Sequence, residues 1–376
     1  MGSGPIRLTL MVGPMVPVPV PKAVLDALIG VQITTTAGRA SGFQLTFKLT
    51  HDSPLHTLFL VSAGLPLKII RVIIVVTVNG TPEVLMDGVM RQHEVTPGSE
   101  PGQSTLTVSG DDLTSVMDLV EFTGVPYPAM PPSARVVAIL AKYAMFGMVP
   151  QVIPSVLFEV PNPLETIPHH KGTDLQYIKH LADKVGYVFY LDAGPTPGMN
   201  VAYWGPEIKV GLPQPALNLD MDAHANVESL NFRYDNQAKT LPVVYIHEKL
   251  TKVSIPIPLP DVNPLSPPLG AIPAVPQKIS YINGTAKMTP TQAIIVGLTK
   301  AAQTSDVVTG TGSLNVLRYG RILKARQLVG VRGAGLAFDG LYDVKSVTHN
   351  LKRGEYKQSF TLARNGLIST VPQVRA

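Results

Sequence analysis

The stretch GLYDVKSVTHNLKRGEYKQSFTLARNG, residues 340–366, decides the fold class. Leu341 to Leu351 and Glu355 to Arg364 flank Lys352, Arg353 and Gly354, and in the second arm Tyr356, Phe360 and Leu362 alternate with Lys357, Ser359 and Thr361. A period of two sends alternate side chains to opposite faces, one for a core and one for water, so the spacing predicts a β-hairpin. The same period recurs far upstream, where Phe43, Leu45, Phe47 and Leu49 alternate with Gln44, Thr46 and Lys48. Downstream of it, an apolar run from Ile69 to Val78 meets Asn79-Gly80 and resumes at Val84 to Met90. Asn and Gly both tolerate the positive φ angles that a type I′ turn needs, which predicts a second hairpin. Ser104 to Ser109 reads as a further strand.

Between these β regions the period changes. In GDDLTSVMDLVEF, Leu113, Val116, Met117 and Val120 fall on one helical face, with Asp111 and Asp112 at its positive N-terminal end. Four prolines in VPYPAMPP (126, 128, 131 and 132) forbid regular helix and mark a border. Ser133 is placed to cap a helix through Val136, Val137, Leu140 and Tyr143 that Gly147 stops. Thr173 and Gln176 predict a capping box for a second helix whose stripe is Tyr177, Ile178, Leu181, Ala182 and Val185, ended by Gly186. Tyr187 to Leu191 and Met199 to Trp204 read as strands, giving a small α/β module. VESLNFRY and LPVVYIHEK, beginning at Val227 and Leu241, return to β. Eight prolines between Pro256 and Pro276 predict an extended, polyproline-like excursion. Thr289, Pro290 and Gln292 then open a helix to about Ala302 on the face Ile294, Ile295 and Leu298.

At 376 residues the chain suits two or three cores. Apolar residues are 45% of it and charged residues 15%, below the ~25% usual in soluble domains, so apolar surface is expected to be buried against partners. Recurring Val, Ile, Leu and Phe with a net charge of +5 exclude a disordered chain. The most apolar runs, such as Ile69 to Val78 with its Arg71, fall well short of the ~20 residues that span a bilayer, so no membrane-spanning segment is expected. Residues 1–22 superficially resemble a signal peptide, but Pro14, Pro17, Pro19 and Pro21 break the apolar run and no basic stretch precedes it; they read as an ordered or extended arm. The absence of cysteine excludes disulfides and thiolate metal sites and fits assembly in a reducing cytoplasm. From Ser313 to Ala376 eleven Lys/Arg face three acids, or +8, while the remainder holds 20 bases against 23 acids, or −3. That asymmetry suits either a solvated basic face or the steering of subunits into register.

Candidate chemistry is sparse. His169, His170 and His180 suggest a metal by residue type, yet adjacent residues point apart and no further ligand stands at a recognised spacing. Asp220 and Asp222 lack the glycine turn and terminal glutamate of a calcium loop and read as a turn cap. GVRGAG, from Gly330 to Gly335, lacks the Lys-Ser/Thr pair and following helix of a phosphate loop and reads as a β-turn. Neither a Gly-x-Ser-x-Gly elbow nor a cysteine nucleophile is present. Tyr319, Tyr342, Tyr356 and Phe360 occupy strand periods expected of core positions, against specific nucleic-acid binding. No catalytic, cofactor-binding or metal-ligating residue is therefore expected, and the chain reads as no enzyme.

Taken together, SGFQLTFKL (41–49), SGDDLTSVMD (109–118), KGTDLQYIKHLADKVGYVFYLD (171–192), YGRILKARQLVGVRG (319–333) and residues 340–366 resemble the late control gene D family of phage tail hubs, related to the N-terminal half of VgrG spikes. The resemblance covers most of the chain. It implies a mainly β fold with an α/β insertion: two antiparallel tube-type β-barrel domains plus a small α/β module. Residues 1–120 would be the arm and first barrel, 121–205 the module, and 206–376 the second barrel, interrupted by a Pro-rich and helical insertion at about 248–306. The implied role is a structural baseplate hub of a contractile tail, a homotrimer joining the tail tube, or a tube-initiator protein, to a separate central spike. The separate spike follows because the chain ends soon after the hub pattern, without a fused needle. Baseplate wedge and tape measure proteins are further implied partners, and the implied place is the virion tail baseplate, assembled in the host bacterial cytoplasm. A tail-associated cell-wall hydrolase and a carbohydrate-binding β-rich adhesin are the competing classes.

Overall fold

The computed structural model describes residues 6–50, 53–61, 69–99, 103–155, 164, 167–220, 224–247, 254–259, 267–282 and 289–371. The first third contains β1 (Ile6–Gly13), β2 (Val18–Pro19), α1 (Lys22–Ala27), β3 (Leu28–Thr36), β4 (Gly42–Leu49), β5 (Arg71–Val78), β6 (Thr81–Thr96) and β7 (Ser104–Asp112). Next come α2 (Pro132–Ala141), β8 (Met148–Val152), α3 (Asp174–Asp183), β9 (Tyr187–Ala193) and β10 (Asn200–Pro206). The rest comprises β11 (Gln214–Asn218), β12 (Val227–Tyr234), β13 (Thr240–His247), β14 (Ser254–Pro258), β15 (Gly270–Pro273), β16 (Lys278–Ile282), α4 (Pro290–Gln303), β17 (Val308–Asn315), α5 (Val316–Tyr319), β18 (Leu328–Arg332), β19 (Gly340–Lys352), β20 (Glu355–Arg364) and β21 (Gly366–Ser369). The protein is mainly β, as expected.

One large sheet runs through both ends of the chain in the order β12-β17-β20-β19-β3-β4-β7-β6-β5-β1-β2. The seam is the antiparallel pair β3–β19, in register from Thr36↔Ser346 to Gly30↔Lys352, so the two expected β units share one continuous sheet. Period-two alternation builds its core. Val31, Ile33, Phe43, Leu45, Phe47, Leu106 and Val108 from one side join Val347, Tyr356, Phe360 and Leu362 from the other in a single buried cluster. Full burial of each such side chain contributes ~1.5–3 kcal/mol.

The predicted turns form for the predicted reasons. Asn79 (φ 50) and Gly80 (φ 84) both take positive φ between Val78 and Thr81, as a type I′ hairpin demands. Lys352 pairs with Glu355 across Arg353-Gly354, with Gly354 at φ 78. The N-terminal segment, read as an arm, is a strand of the sheet itself: β1 pairs with β5 from Ile6↔Val78 to Gly13↔Arg71 and buries Leu8, Leu10 and Val12.

The α/β layer consists of the sheet β8-β10-β9 with α2 and α3. Thr173 accepts from the Gln176 amide while the Gln176 side chain accepts from the Thr173 amide, closing the capping box. Its stripe Tyr177, Ile178, Leu181, Ala182 and Val185 is buried around Trp204, which is fully buried and donates to Ile178 O at 3.4 Å. Gly186 (φ 69) ends the segment as predicted.

Four expectations need correction. The helix after Gly110 is only a 3-10 segment, Leu113–Asp118, capped by the Asp112 side chain, and Val120 is exposed beyond it. The next helix begins at Pro132 and not after Ser133: a proline lacking N–H fits a first turn whose amides have no helical partner, and Val137 faces solvent. In the Pro256–Pro276 stretch the described residues, 256–259 and 267–276, carry strands as well as extended chain, and Pro260 and Pro264 lie outside the described residues. β14 pairs with β13 at the edge of the sheet β14-β13-β16, and β15 pairs with β21. Pro256 and Pro258 are alternate residues of an edge strand, so their missing donors share one side and the ladder survives. Last, α4 covers that small sheet through buried Ala293 with partly buried Ile294 and Leu298, against Val244 and Leu259, whereas Ile295 stays outside the cluster. The side chain of Gln292, Glu248 and Lys249 lie outside the described residues.

Candidate functional site

The outer face of the large sheet is a field of hydroxyls and amides. Ser229 meets Ser313 (2.9 Å), Thr34 meets Thr348 (3.1 Å), and Gln32 donates to Asn350 (3.3 Å), linking neighbouring strands across the face. Ser359, Thr361, Gln44 and Thr46 continue it on β20 and β4. Two strand edges beside this face lack a partner. β12 pairs only with β17, and the outer part of β6, Arg91 to Thr96, pairs only with β7 because the pairing of β5 with β6 ends at Arg71↔Val89; both edges are free among the described residues. All six residues from Arg91 to Thr96 are exposed. Unpaired strand edges present rows of N–H and C=O groups ready to pair with another chain.

Behind this face, Arg71 fastens the α/β layer to the sheet. The apolar stripe of β5 puts its guanidinium at a dry junction, only 3% exposed, where it makes a bidentate pair with Asp87 at 2.7 Å. It also donates to the carbonyls of Met15 (3.2 Å), Phe146 (2.7 Å) and Gly198 (3.1 Å), while Asn200 donates to Asp87 (2.8 Å). The sequence offered one sign of this residue: a cation at the head of the apolar run.

A second junction centres on Lys345, whose ammonium lies 2.8 Å from Asp343, 3.0 Å from Asp306 and 3.5 Å from Glu207. Burial alone would push its pKa down, but Asp306, Asp343 and Glu207 outweigh it and hold the lysine above its usual range. Burial likewise raises Asp343, with Lys345 opposing. Lys324 pairs with Glu83 at 2.6 Å and Arg326 with Asp192. Lys324, Arg326 and Lys345, three of the eleven C-terminal bases, thus face acids elsewhere in the same chain, which leaves fewer of them for steering subunits.

The imidazoles singled out in the sequence do not gather. His169 and His180 are exposed, while His170 is buried in an aromatic cluster, 3.0 Å from Tyr127 Oη and 3.5 Å from Asp174 Oδ1. Asp220 adopts a left-handed turn (φ 38), and Asp222 lies outside the described residues. In GVRGAG the first residues belong to β18, and the turn follows at Gly333 (φ 83), where the Ala334 amide donates to Asp339 at 2.7 Å; no helix follows. Tyr319, Tyr342, Tyr356 and Phe360 are all buried, as core positions should be, though Tyr319 sits at the end of α5 and not in a strand. His349 is neutral at pH 7, pushed down to about 4 by burial, and sits 2.7 Å from Tyr356 Oη.

No protein-family profile matches the chain, and no curated protein matches it in sequence. Solved structures do match it in shape. A tail protein from Neisseria meningitidis MC58 aligns over 96% of this chain and 98% of its own, with a TM-score of 0.62 and 14% identity. The 43 kDa tail protein of prophage MuSo2 from Shewanella oneidensis aligns over 95% and 98%, with a TM-score of 0.59 and 13% identity. The fold is that of phage tail proteins. A chain of the Francisella PdpA-VgrG complex shares this tail-protein fold over 99% of the present chain at a TM-score of 0.61 and 8% identity. The present chain spans 54% of that longer one. At these identities the likeness concerns the tail-protein fold alone.

Proposed function

We propose that this chain is a structural baseplate hub of a contractile phage tail or phage-like injection system, a homotrimeric adaptor between the tail tube and the central spike. The observation that carries the reading is the large sheet with a hydroxyl- and amide-lined face and two unpaired stretches of strand edge among the described residues, β12 and Arg91–Thr96. A copy that offers β12 to the 91–96 edge of the next forms a head-to-tail contact, and such contacts close into a ring when the rotation permits. Each copy then contributes two β units, residues 1–120 and 206–376, so three copies present six to a six-fold tube and three to a spike. The α/β module, 121–205, and the insertion, about 248–306, lie outside that repeat. The tail-protein fold of the structural neighbours supports this reading, as does the resemblance to late control gene D hubs and the N-terminal half of VgrG. Wedge and tape measure proteins are the remaining partners, the place is the tail baseplate assembled in the bacterial cytoplasm, and the role is architectural and non-enzymatic.

The chain has no cysteine, so engineered pairs report on this contact without background. Variants that combine Asn231→Cys or Arg233→Cys with Gln92→Cys or Glu94→Cys are expected to cross-link on mild oxidation into a ladder ending at three chains. Single variants stay uncross-linked. No cross-link in any combination, or a ladder running beyond three, contradicts the ring.

A further inference from the structure

The segment joining β10 to β11, residues 207–213, inverts the usual pattern of a surface strap. Lys209 is turned inward, only 6% exposed, with its ammonium 3.7 Å from Asp306, whereas Ile208 (43%), Val210 (48%) and Leu212 (96%) are turned to solvent. Among the described residues, the backbone from 207 to 213 makes no hydrogen bond to other backbone. Inward and outward side chains alternate over Ile208, Lys209 and Val210, as in a strand, yet no strand pairs with them among the described residues.

The strap borders a cleft of about 250 Å³. Its walls are Val188, Pro206 and the stacked rings of Tyr190 and Tyr203, with centroids 5.0 Å apart at 25°. Arg326, 9% exposed and held at φ 62, closes one end with its guanidinium 4.2 Å above Tyr190; its Nε has no hydrogen-bond partner. Backbone strain and an orphaned buried donor in one residue mark a place whose geometry serves something beyond packing. The cleft is smaller than the ~300–1,000 Å³ of small-molecule sites but roomy enough for one large side chain.

Charge narrows the guest. Around the cleft, among the described residues, Asp192, Glu207, Asp306 and Asp343 pair with Lys209, Arg326 and Lys345, so one negative charge is left over. We propose that the strap and cleft are a β-addition site for an extended peptide segment of another protein, which pairs with the 207–213 backbone, anchors one aromatic or large aliphatic side chain between Tyr203 and the strap, and carries a basic flanking residue. Main-chain pairing would supply the affinity and the pocket the specificity, the usual division in strand addition. This site lies apart from the β12 and 91–96 edges, so ring formation and peptide capture succeed or fail independently.

The probe is a short fluorescent peptide of alternating Thr and Val with a central Phe and Lys at both ends, titrated into the full chain by anisotropy. Saturable binding is expected, weakened at least tenfold when the central Phe is Ala, and weakened when Glu replaces the terminal Lys. The variants Tyr203→Ala and Val210→Pro are expected to lose binding while the fluorescence of the lone Trp204 stays native. Hydrogen exchange on the unaltered protein supplies the variant-free check: amides within 207–213 slow only when the peptide is present. No binding, equal binding of the Phe and Ala peptides, or unchanged exchange at 207–213 overturns the proposal. Protection of 207–213 in the protein alone, growing with its concentration, also overturns it, because the occupant is then a second copy.

Discussion

Replacing Arg71 with methionine will destabilise the folded chain by about 3–5 kcal/mol. The methionine keeps much of the apolar stem but leaves the Asp87 carboxylate charged, fully buried and served only by Asn200 among the side chains described above. It also removes the donor from the carbonyls of Met15, Phe146 and Gly198; the Phe146 carbonyl is buried, and an orphaned buried acceptor costs about 1–3 kcal/mol, whereas the other two are partly open to water. Those three carbonyls belong to the loop after β1, the turn before β8 and the turn between β9 and β10, so the damage falls on the attachment of the α/β layer. Trp204, the lone tryptophan, sits in that layer and reports its loosening. Urea unfolding followed by tryptophan fluorescence measures the loss. Combining Arg71→Met with Asp87→Leu restores part of it, since the second change removes the uncompensated charge. A loss below about 1 kcal/mol for Arg71→Met would mean that water reaches the junction and that Arg71 is no clamp.

A second large effect is expected from Lys345→Met, and this one depends on pH. At pH 7 the substitution leaves Asp343, Asp306 and Glu207 facing one another without their shared cation, a loss of about 1–3 kcal/mol given their partial exposure. Asp343 sets the sign. Its folded pKa is already raised above 3.8 by burial, with Lys345 pulling the other way, so removing the lysine raises it further. A carboxylate with a raised folded pKa binds its proton more tightly when folded, and stability falls as pH climbs from the unfolded value through the folded one. The penalty of Lys345→Met is therefore smallest near pH 4 and largest near neutrality. Thermal or urea midpoints of both proteins between pH 4 and 7 measure it; a penalty independent of pH would show that the cluster is held by packing and not by charge.

What the sequence made legible was governed by local chemistry. The Asn79-Gly80 turn, the Thr173–Gln176 capping box and the terminal hairpin each depend on residues within a few positions of one another, and each formed as read. The seam between β3 and β19 joins segments more than 300 residues apart in sequence, and nothing local in Gly30–Thr36 announces its partner. The Arg71 network is hidden for the same reason, because its acceptors come from four separate places along the chain. The Pro256–Pro276 stretch misled in a different way. Proline density argues against a central strand but permits an edge one, and which applies depends on where β13 lies. In the strap at 207–213, Ile208, Val210 and Leu212 have the alternation of an ordinary short strand, and only the structure shows them facing outward.

The reading of the chain as a ring-forming hub is tested most directly by native mass spectrometry of the purified full-length protein at micromolar concentration. A closed, obligate ring predicts a single species at three times the 40.3 kDa chain mass, persisting on dilution. A monodisperse species at 40.3 kDa, or an open series of ever larger oligomers, would contradict it.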